Sequence, residues 1–190
     1  MNPAEIRATP KETRTDSAPS EPVLLRRPEI ADGAEIWQLA KDSQVLDVNS
    51  SYSYLLWCRD FHATSIIAES NGSLVGFITG FARPQSPDTL FVWQVAVDAS
   101  QRGKGVGVAM LNRLLDNLAP QGITRLETTV SPDNPASIAM FTRLARRREV
   151  PITKKSLFDA GDFPGAHEAE DLYIVGPVSE PEGPEKHEHP

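Results

Sequence analysis

Cysteine, long apolar runs and positive charge are all scarce in this sequence. The single cysteine, Cys58, excludes a disulfide within the chain and favours a reducing compartment. No apolar run approaches the roughly 18 residues that a membrane-spanning helix needs, and the N-terminus lacks the apolar stretch of a secretory signal. The formal net charge of −7 argues against a nucleic acid partner. We therefore expect a cytoplasmic protein with no nucleic acid or membrane partner.

The two ends of the chain differ in composition from its middle. Residues 1–22 are rich in proline, threonine, serine and charge, and residues 179–190 carry four glutamates and three prolines. Neither end offers much apolar surface to bury. We predict a disordered tail at 1–22, one domain at 23–178 and a disordered acidic tail at 179–190.

The most informative stretch is residues 91–107, FVWQVAVDASQRGKGVG. An apolar run typical of a strand meets a short polar turn, three glycines follow, and an apolar helix pattern then continues to Leu118. Glycine lets backbone N–H groups turn toward an anion, and a helix start adds unpaired N–H groups and a positive dipole end. Arg102 and Lys104 place two cations beside the same point. The arrangement predicts a phosphate or pyrophosphate site.

The glycine spacing excludes the two best-known phosphate loops. A dinucleotide-binding fingerprint that starts at Gly103 needs glycine at the position of Val108, and no Gly-Lys-Ser/Thr string of a P-loop occurs. The pattern Arg-x-x-Gly-x-Gly, formed by Arg102, Gly105 and Gly107, resembles the acetyl-CoA pyrophosphate loop of the GCN5-related N-acetyltransferase (GNAT) superfamily. The alternative is a tight strand-to-helix turn that binds nothing.

A second segment, residues 131–145 (SPDNPASIAMFTRLA), supports the same resemblance. Asn134 suits the N-cap of a helix and Pro135 its first position, and the apolar residues that follow share one helical face. In the GNAT family an Asn-x-x-Ala/Ser opening follows the fifth strand and contacts the CoA arm. The resemblance therefore implies that Asn134 binds acetyl-CoA.

The predicted elements follow the order β-α-α-β-β-β-α-β-α-β-β, which is the order of the GNAT fold. A hairpin is predicted at Asn71-Gly72, a strong turn signal between two apolar runs. Residues 47–53 read as a polar turn before a short apolar helix at 54–58. The resemblance implies the α/β (α+β) class: a single domain with a mixed, mostly antiparallel sheet, splayed at strands four and five, with helices on both faces.

The resemblance also implies acetyl-CoA as cosubstrate and no metal. The pantetheine arm enters the gap between strands four and five and meets the backbone of Val95 and Val97, with an N–H near Val95 as the oxyanion donor. The pyrophosphate lies on Arg102, Gly103, Lys104, Gly105 and Gly107.

Phe141 departs from the family pattern. Many GNAT enzymes have a tyrosine there that returns a proton to the departing thiolate, and phenylalanine cannot do so. Another group or water supplies the proton, or the thiolate leaves unaided, since a free thiol has a pKa of about 8.5. We assign no general acid.

Three further segments, residues 46–61, 89–97 and 165–177, resemble the L-2,4-diaminobutyrate acetyltransferases of ectoine synthesis, a narrower family within the GNAT superfamily. The resemblance runs from Val23 to Pro177. It implies a homodimer that transfers acetyl directly, within a ternary complex, to the γ-amine of L-2,4-diaminobutyrate.

On that resemblance, the acceptor site combines carboxylates with aromatic and titratable side chains. Asp47 and Glu170 can each pair with an ammonium group, and Tyr52 can hydrogen-bond the carboxylate or the α-amine. Trp93, just before an expected bulge, can wall the aliphatic part or face a cation. His167 can donate to the carboxylate or relay a proton. The catalytic candidates are Glu170, the expected base, together with His167 and Trp93.

The residues alone leave other interpretations open. Asp47 and Tyr52 can serve as helix caps, Trp93 can be a core residue, and His167 and Glu170 can lie in a solvated loop. At the level of function, the alternatives are a GNAT enzyme for a polyamine, lysine or an aminoglycoside, a non-catalytic acyl-CoA-binding module, and an anion-binding scaffold.

Overall fold

The computed structural model describes residues 22–44, 46–164 and 168–177. Within them, strands and α-helices follow one another in the predicted order. The strands are β1 (Leu24–Arg26), β2 (Ile66–Ser70), β3 (Ser73–Arg83), β4 (Ser86–Val97), β5 (Arg125–Val130), β6 (Ile152–Phe158) and β7 (Glu170–Val175). The α-helices are α1 (Gly33–Ser43), α2 (Ser51–Asp60), α3 (Val106–Leu118) and α4 (Pro135–Arg148). The predicted tails lie outside the described residues except for Pro22, so their disorder stays a prediction.

The strands form one sheet in the order β1-β2-β3-β4-β5-β7-β6. All neighbouring pairs are antiparallel except β4 and β5, which are parallel. The β4–β5 pairing covers only Thr89–Phe91 against Arg125–Glu127, after which β4 continues to Val97 and β5 to Val130. The predicted mixed sheet, splayed at strands four and five, is confirmed.

The hairpin between β2 and β3 turns at the predicted dipeptide. Asn71 and Gly72 both have positive φ, at 53° and 74°. Two successive residues with positive φ define the tight turn whose twist matches that of paired strands. The turn therefore sets the register of the first half of the sheet.

Helices cover both faces of the sheet, as predicted. On one face, α3 and α4 bury Leu114 and Phe141 against the strands. On the other, α1 and α2 bury Ile36 and Tyr54 against Phe77 of β3. Within the described residues no helix has the length and apolar character needed to cross a membrane.

A bulge in β4 changes the face to which its side chains point. Thr79 of β3 pairs with Gln94, and the next residue of β3 pairs with Val92, so Trp93 is an extra residue in the ladder. Val92 before the bulge and Val95 after it both pack on the α3 side. Trp93 and Gln94 therefore both point toward α2. The sequence placed Trp93 just before the bulge, whereas Trp93 forms it.

Helix α2 begins earlier than the sequence indicated. Residues 47–53 read as a polar turn, but Ser51 already starts the helix, with Ser50 at the N-cap position. Serine competes with the helix by bonding nearby backbone groups, so serine-rich stretches favour turns locally. Burial of Tyr54 and Cys58 on the sheet overrides that local preference.

Candidate active site

A cleft of about 760 Å³ opens where β4 and β5 diverge. We call the space between residues 92–97 of β4 and residues 128–130 of β5 the strand gap. Val95 lines it from β4, and Val130 lines it from β5. The hydroxyl of Thr128 donates to the carbonyl of Val92 at 3.1 Å where the ladder has already ended. Beyond this point the facing edge of β4 is open to the cleft, so its backbone groups are placed for a ligand.

The glycine loop between β4 and α3 has the conformation that its glycines permit. Gly103 and Gly105 have φ of 77° and 83°, in the left-handed region that other residues rarely adopt. Gly105 is the N-cap of α3, and no side chain caps the helix there. The first-turn N–H groups of α3 have no intrahelical acceptor, so they are suited to an anion.

Gly107 is a different kind of glycine. It is buried in the first turn of α3, and a Cβ there would lie 2.6 Å from the Sδ of Met140 on α4. A side chain at this position would therefore have to displace the flexible Met140 side chain, while its other neighbours lie at ordinary contact distances. The binding role predicted for Gly107 is not tested by this contact.

The two cations of the loop are both exposed. The Nε of Arg102 donates to the carbonyl of Val97 at 3.1 Å, which holds the guanidinium near the end of β4. Lys104 lines a smaller cavity of about 150 Å³ together with Val23 and Leu25. Val97 itself packs on the α3 side of the sheet. The cations thus flank the loop from two directions.

Asn134 caps α4 as predicted. Its Oδ1 accepts a hydrogen bond from the backbone N–H of Ser137 at 3.0 Å, and Pro135 occupies the first helical position. Both Asn134 and Ser137 line the cleft. Phe141, one turn further along α4, is 2% exposed and also contributes to the lining. The start of α4 therefore forms one wall of the cleft.

Among the residues that the structure describes, three carboxylates line the same cleft, at Asp47, Glu168 and Glu170. We call them the acidic lining. Trp93 lies in the same cleft with 52% of its surface exposed, and its ring centroid is 5.9 Å from that of Trp57 on α2. A cleft with several carboxylates and an accessible indole face is suited to a cationic ligand.

Of the two remaining predicted residues, the structure places Tyr52 outside the cleft and does not describe His167. Tyr52 lies in the first turn of α2 with 64% of its surface exposed, outside the lining of the cleft. His167 lies outside the described residues. Their roles stay predictions. Among the residues that the structure describes, no group of three histidine, cysteine or acidic side chains is placed to hold a metal ion.

Sequence reasoning missed several residues of the cleft. Glu168, Phe158 and Phe163 line it but gave no separate signal in the sequence. Gln94 did give one, because a polar residue inside the apolar run FVWQVAV must find a buried partner. Its partners are the backbone carbonyl of Asp47 and the hydroxyl of Tyr54, which the sequence indicated only as part of an apolar helix.

Comparison with known proteins agrees with the fold and the cleft. The sequence pattern of the acetyltransferase (GNAT) family matches residues 32–145. The chain belongs to this family, and the predicted superfamily and fold are confirmed.

The similarity extends to a narrower group of enzymes. The chain is 60% identical over 157 residues to the L-2,4-diaminobutyric acid acetyltransferase of Nocardia farcinica, covering 83% of this chain and 81% of that one. It is 56% identical over 158 residues to that of Streptomyces coelicolor, covering 82% and 93%. The solved diaminobutyrate acetyltransferase of Paenibacillus lautus, in complex with L-2,4-diaminobutyric acid and coenzyme A, matches with a TM-score of 0.80 at 43% identity, covering 87% and 100%.

Proposed function

We propose that this protein transfers the acetyl group of acetyl-CoA to the γ-amine of L-2,4-diaminobutyrate, giving the N4-acetyl product for ectoine synthesis. The proposal rests on one observation: the strand gap and the acidic lining are parts of the same cleft. The identity of 60% to an enzyme named for this substrate supports the choice of amine. So do the two ligands of the Paenibacillus lautus enzyme.

The strand gap and the glycine loop fit the acetyl donor. The open edge of β4 at Val95 and Val97 offers backbone groups to the amide-rich pantetheine arm, and an N–H near Val95 stabilises the oxyanion. The first-turn N–H groups of α3, with Arg102 and Lys104, receive the pyrophosphate, and Gly103 and Gly105 permit the loop conformation. Asn134 and Gly107 complete the predicted donor site.

The acidic lining fits a substrate with two ammonium groups. Asp47 and Glu170 each pair with one, and Trp93 walls the aliphatic chain between them. The γ-amine has a pKa near that of lysine, about 10, so a base must take its proton before attack. Glu170 is that base, directly or through water. Tyr52 and His167 are the proposed partners of the substrate carboxylate, and His167 is the alternative proton relay.

The reaction is a direct acyl transfer. The neutral γ-nitrogen attacks the thioester carbonyl carbon, the C–N bond forms, and the C–S bond breaks as its electron pair leaves on the CoA thiolate. Glu170 takes one proton from the ammonium group before attack and passes it to solvent. The second proton leaves the nitrogen as the C–S bond breaks, to water or to the departing thiolate. Phe141 cannot protonate the thiolate, which leaves as such or takes a proton from water.

A ternary complex is the proposed route, because the one cysteine is in the wrong place to carry an acetyl group. Cys58 is 3% exposed and lies outside the lining of the cleft. Initial rates at varied concentrations of both substrates should give intersecting lines in a double-reciprocal plot. Parallel lines would indicate an acetyl-enzyme intermediate and overturn direct transfer.

The decisive experiment measures thiol release from acetyl-CoA with a panel of amines, followed by mass spectrometry of the product. We expect the fastest turnover with L-2,4-diaminobutyrate and the acetyl group on the γ-nitrogen. The panel includes lysine, a polyamine and 1,3-diaminopropane. The last of these has no carboxylate, and it is included because the described lining residues include no lysine or arginine that could bind the carboxylate of diaminobutyrate. Faster turnover of another amine would overturn the substrate, and CoA binding without turnover would favour a non-catalytic module.

We also propose that the protein is a cytoplasmic homodimer, as the family resemblance implies. Light scattering after size-exclusion chromatography should then give twice the 20.8 kDa mass of one chain. A mass equal to that of one chain at micromolar concentration would overturn the homodimer.

A further inference from the structure

A hydrogen-bonded chain, buried at Tyr54 and Gln94, joins helix α2, strand β4 and the rim of the cleft. The hydroxyl of Tyr54 donates to the Oε1 of Gln94 at 3.0 Å, and the Nε2 of Gln94 donates to the backbone carbonyl of Asp47 at 2.9 Å. We propose that Gln94 is a positioning residue for the amine substrate, because it holds residues 46–50, and with them the Asp47 carboxylate, beside β4. The inference rests on the proposed role of Asp47.

The orientation of the Gln94 amide follows from the chemistry of its partners. A backbone carbonyl can only accept, so the NH₂ group must face Asp47. The amide oxygen then faces Tyr54, whose hydroxyl is free to donate. The Asp47 carbonyl alone excludes the flipped amide, because the Tyr54 hydroxyl can accept as well as donate.

The anchor of this chain is rigid. Tyr54 is 1% exposed, and its ring meets that of Phe77 edge-on, with centroids 6.3 Å apart and planes at 86°. Phe77 lies on β3 and is fully buried. Gln94 is 7% exposed, so water has little room to replace a lost partner. The hydroxyl of Tyr54 is therefore a fixed point from which the amide of Gln94 reaches the cleft.

The segment that Gln94 holds has no helical or sheet structure of its own. Residues 46–50 connect α1 to α2 without regular hydrogen bonding, and Asp47 is exposed on the cleft. The position of its carboxylate depends on where the main chain of this segment lies. A shift of about 1 Å in a substrate-positioning group can cost on the order of a hundredfold in rate.

The bulge in β4 links this tether to the rest of the site. In a regular strand Gln94 would point to the opposite face from Trp93, toward α3. The extra residue directs both side chains toward α2, where Trp93 faces the cleft and Gln94 reaches Asp47. The bulge therefore directs both Trp93 and Gln94 toward the proposed amine site. Both residues lie within two positions of Val95, the proposed oxyanion donor.

Three variants test the tether, with one matched control. In Gln94→Glu the side chain can still accept from Tyr54, but it has no N–H to donate to the Asp47 carbonyl. In Gln94→Met both hydrogen bonds are lost. Tyr54→Phe removes only the hydroxyl and keeps the packing on Phe77. The control is Thr79→Val, since Thr79 is 2% exposed, pairs directly with Gln94, and its hydroxyl has no partner among the described residues.

We expect the KM for diaminobutyrate to rise about tenfold or more in Gln94→Glu and Gln94→Met, while the KM for acetyl-CoA stays within about twofold. Tyr54→Phe should give a smaller rise in the same parameter, and Thr79→Val no change. Melting temperatures identify any variant that fails to fold, in which case the remaining variants decide. An unchanged KM for diaminobutyrate in folded Gln94 variants, or equal loss for both substrates, would overturn the proposal.

A double-mutant cycle with Asp47→Ala separates this inference from the proposed function. If Gln94 acts through Asp47, Gln94→Met should add little to the loss already caused by Asp47→Ala. Fully additive losses would overturn the positioning role and leave the proposed function standing. If the wild type prefers another amine, the cycle is run with that amine. That result would overturn the proposed substrate but not the positioning role of Gln94. No effect of Asp47→Ala on any accepted amine would overturn both the role of Asp47 and that of Gln94.

Discussion

At the scale of single residues, Cys58 shows how burial removes a reactive group from chemistry. The thiol is 3% exposed in the core between α2 and the sheet. Burial, and to a smaller extent the charge of Asp32, raises the pKa of the Cys58 thiol from its ordinary value to about 11. The thiolate is the reactive form of cysteine, so this residue is both inaccessible and protonated at neutral pH.

We expect an aromatic disulfide reagent to detect no reactive thiol in the native protein at about pH 8 and one thiol per chain after denaturation, because the thiolate fraction is about 0.1% and the site is closed. The measurement is a time course of absorbance with and without denaturant. Rapid reaction of the native protein would show that the core around α2 opens often. The same result decides whether thiol-release assays need correction for the enzyme.

Substitutions of the two predicted carboxylates, Asp47 and Glu170, should change different kinetic parameters. Asp47→Ala should raise the KM for diaminobutyrate, whereas Glu170→Gln, which removes the base, should lower kcat by about 10² or more. Acetyl-CoA affinity, measured by calorimetry, should not change in either variant. Glu35→Gln, an exposed carboxylate on α1, is the control. Equal loss of acetyl-CoA affinity in both variants would contradict the assignment.

At the scale of elements, the β4–α3 junction contains glycines with different physical roles. Gly105 has open space around its Cα, so only its positive φ requires glycine. Gly107 has an ordinary φ but lies against Met140 of α4. Gly105 governs the shape of the loop that faces the proposed pyrophosphate, whereas Gly107 leaves room for the Met140 side chain between the two helices.

Gly105→Val should lower CoA affinity by at least about tenfold, because valine disfavours the left-handed conformation that directs the loop N–H groups. Gly122→Val is the matched control, since Gly122 has a φ of 88°, equally open surroundings and a position after α3, away from the loop. Both variants should lose similar stability, and only the first should lose CoA binding in a calorimetric titration. Unaltered affinity of Gly105→Val would show that the loop is not the site.

At the scale of the whole molecule, one ion-pair network fastens the first strand to the domain. Arg26 on β1 donates to both carboxylate oxygens of Asp32, at 2.7 and 2.8 Å, and to both of Glu69 on β2, at 2.7 and 3.1 Å. Hydrogen bonds from Arg26 hold the pKa of the Asp32 and Glu69 carboxyls below their ordinary values. The network joins the sheet edge to the 3₁₀ turn that precedes α1.

Arg26→Met should lower the free energy of unfolding by about 1 to 3 kcal/mol near neutral pH, because it removes the guanidinium group that bonds two partly buried carboxylates. Carboxyl groups with lowered folded-state pKa stabilise the fold above their unfolded pKa of about 4 and lose this contribution as the pH falls through the folded value. The difference between wild type and variant should therefore shrink below about pH 4. Urea titrations at several pH values measure it.

The control for this network is Arg59→Met, which breaks an exposed pair with Asp60. Exposed pairs contribute little to stability, so Arg59→Met should unfold at nearly the same urea concentration as the wild type at every pH. A loss in Arg26→Met that is independent of pH down to acid would show that the residue acts by packing and not by charge.

Local patterns were enough to predict the individual elements, whereas the splayed mixed sheet with helices on both faces was predicted from the family resemblance. The turn at Asn71 and Gly72, the cap at Asn134 and the order of elements all depend on residues close in sequence. The helix start at Ser51 was missed because tertiary burial decided it. The tether from Gln94 to Asp47 joins residues 47 positions apart, and the bulge at Trp93 shifts register by one residue. Neither the tether nor the bulge produces a periodic pattern in the sequence from which it could be predicted.

The short β4–β5 pairing has a consequence for the energetics of turnover. The sheet consists of two half-sheets, β1–β4 and β5–β7–β6, joined by three residue pairs. On the proposed function, the pantetheine arm acts as a removable strand that closes this seam. Each catalytic cycle then closes and reopens the sheet. The free energy of unfolding should therefore be highest while CoA is bound and should fall each time CoA departs.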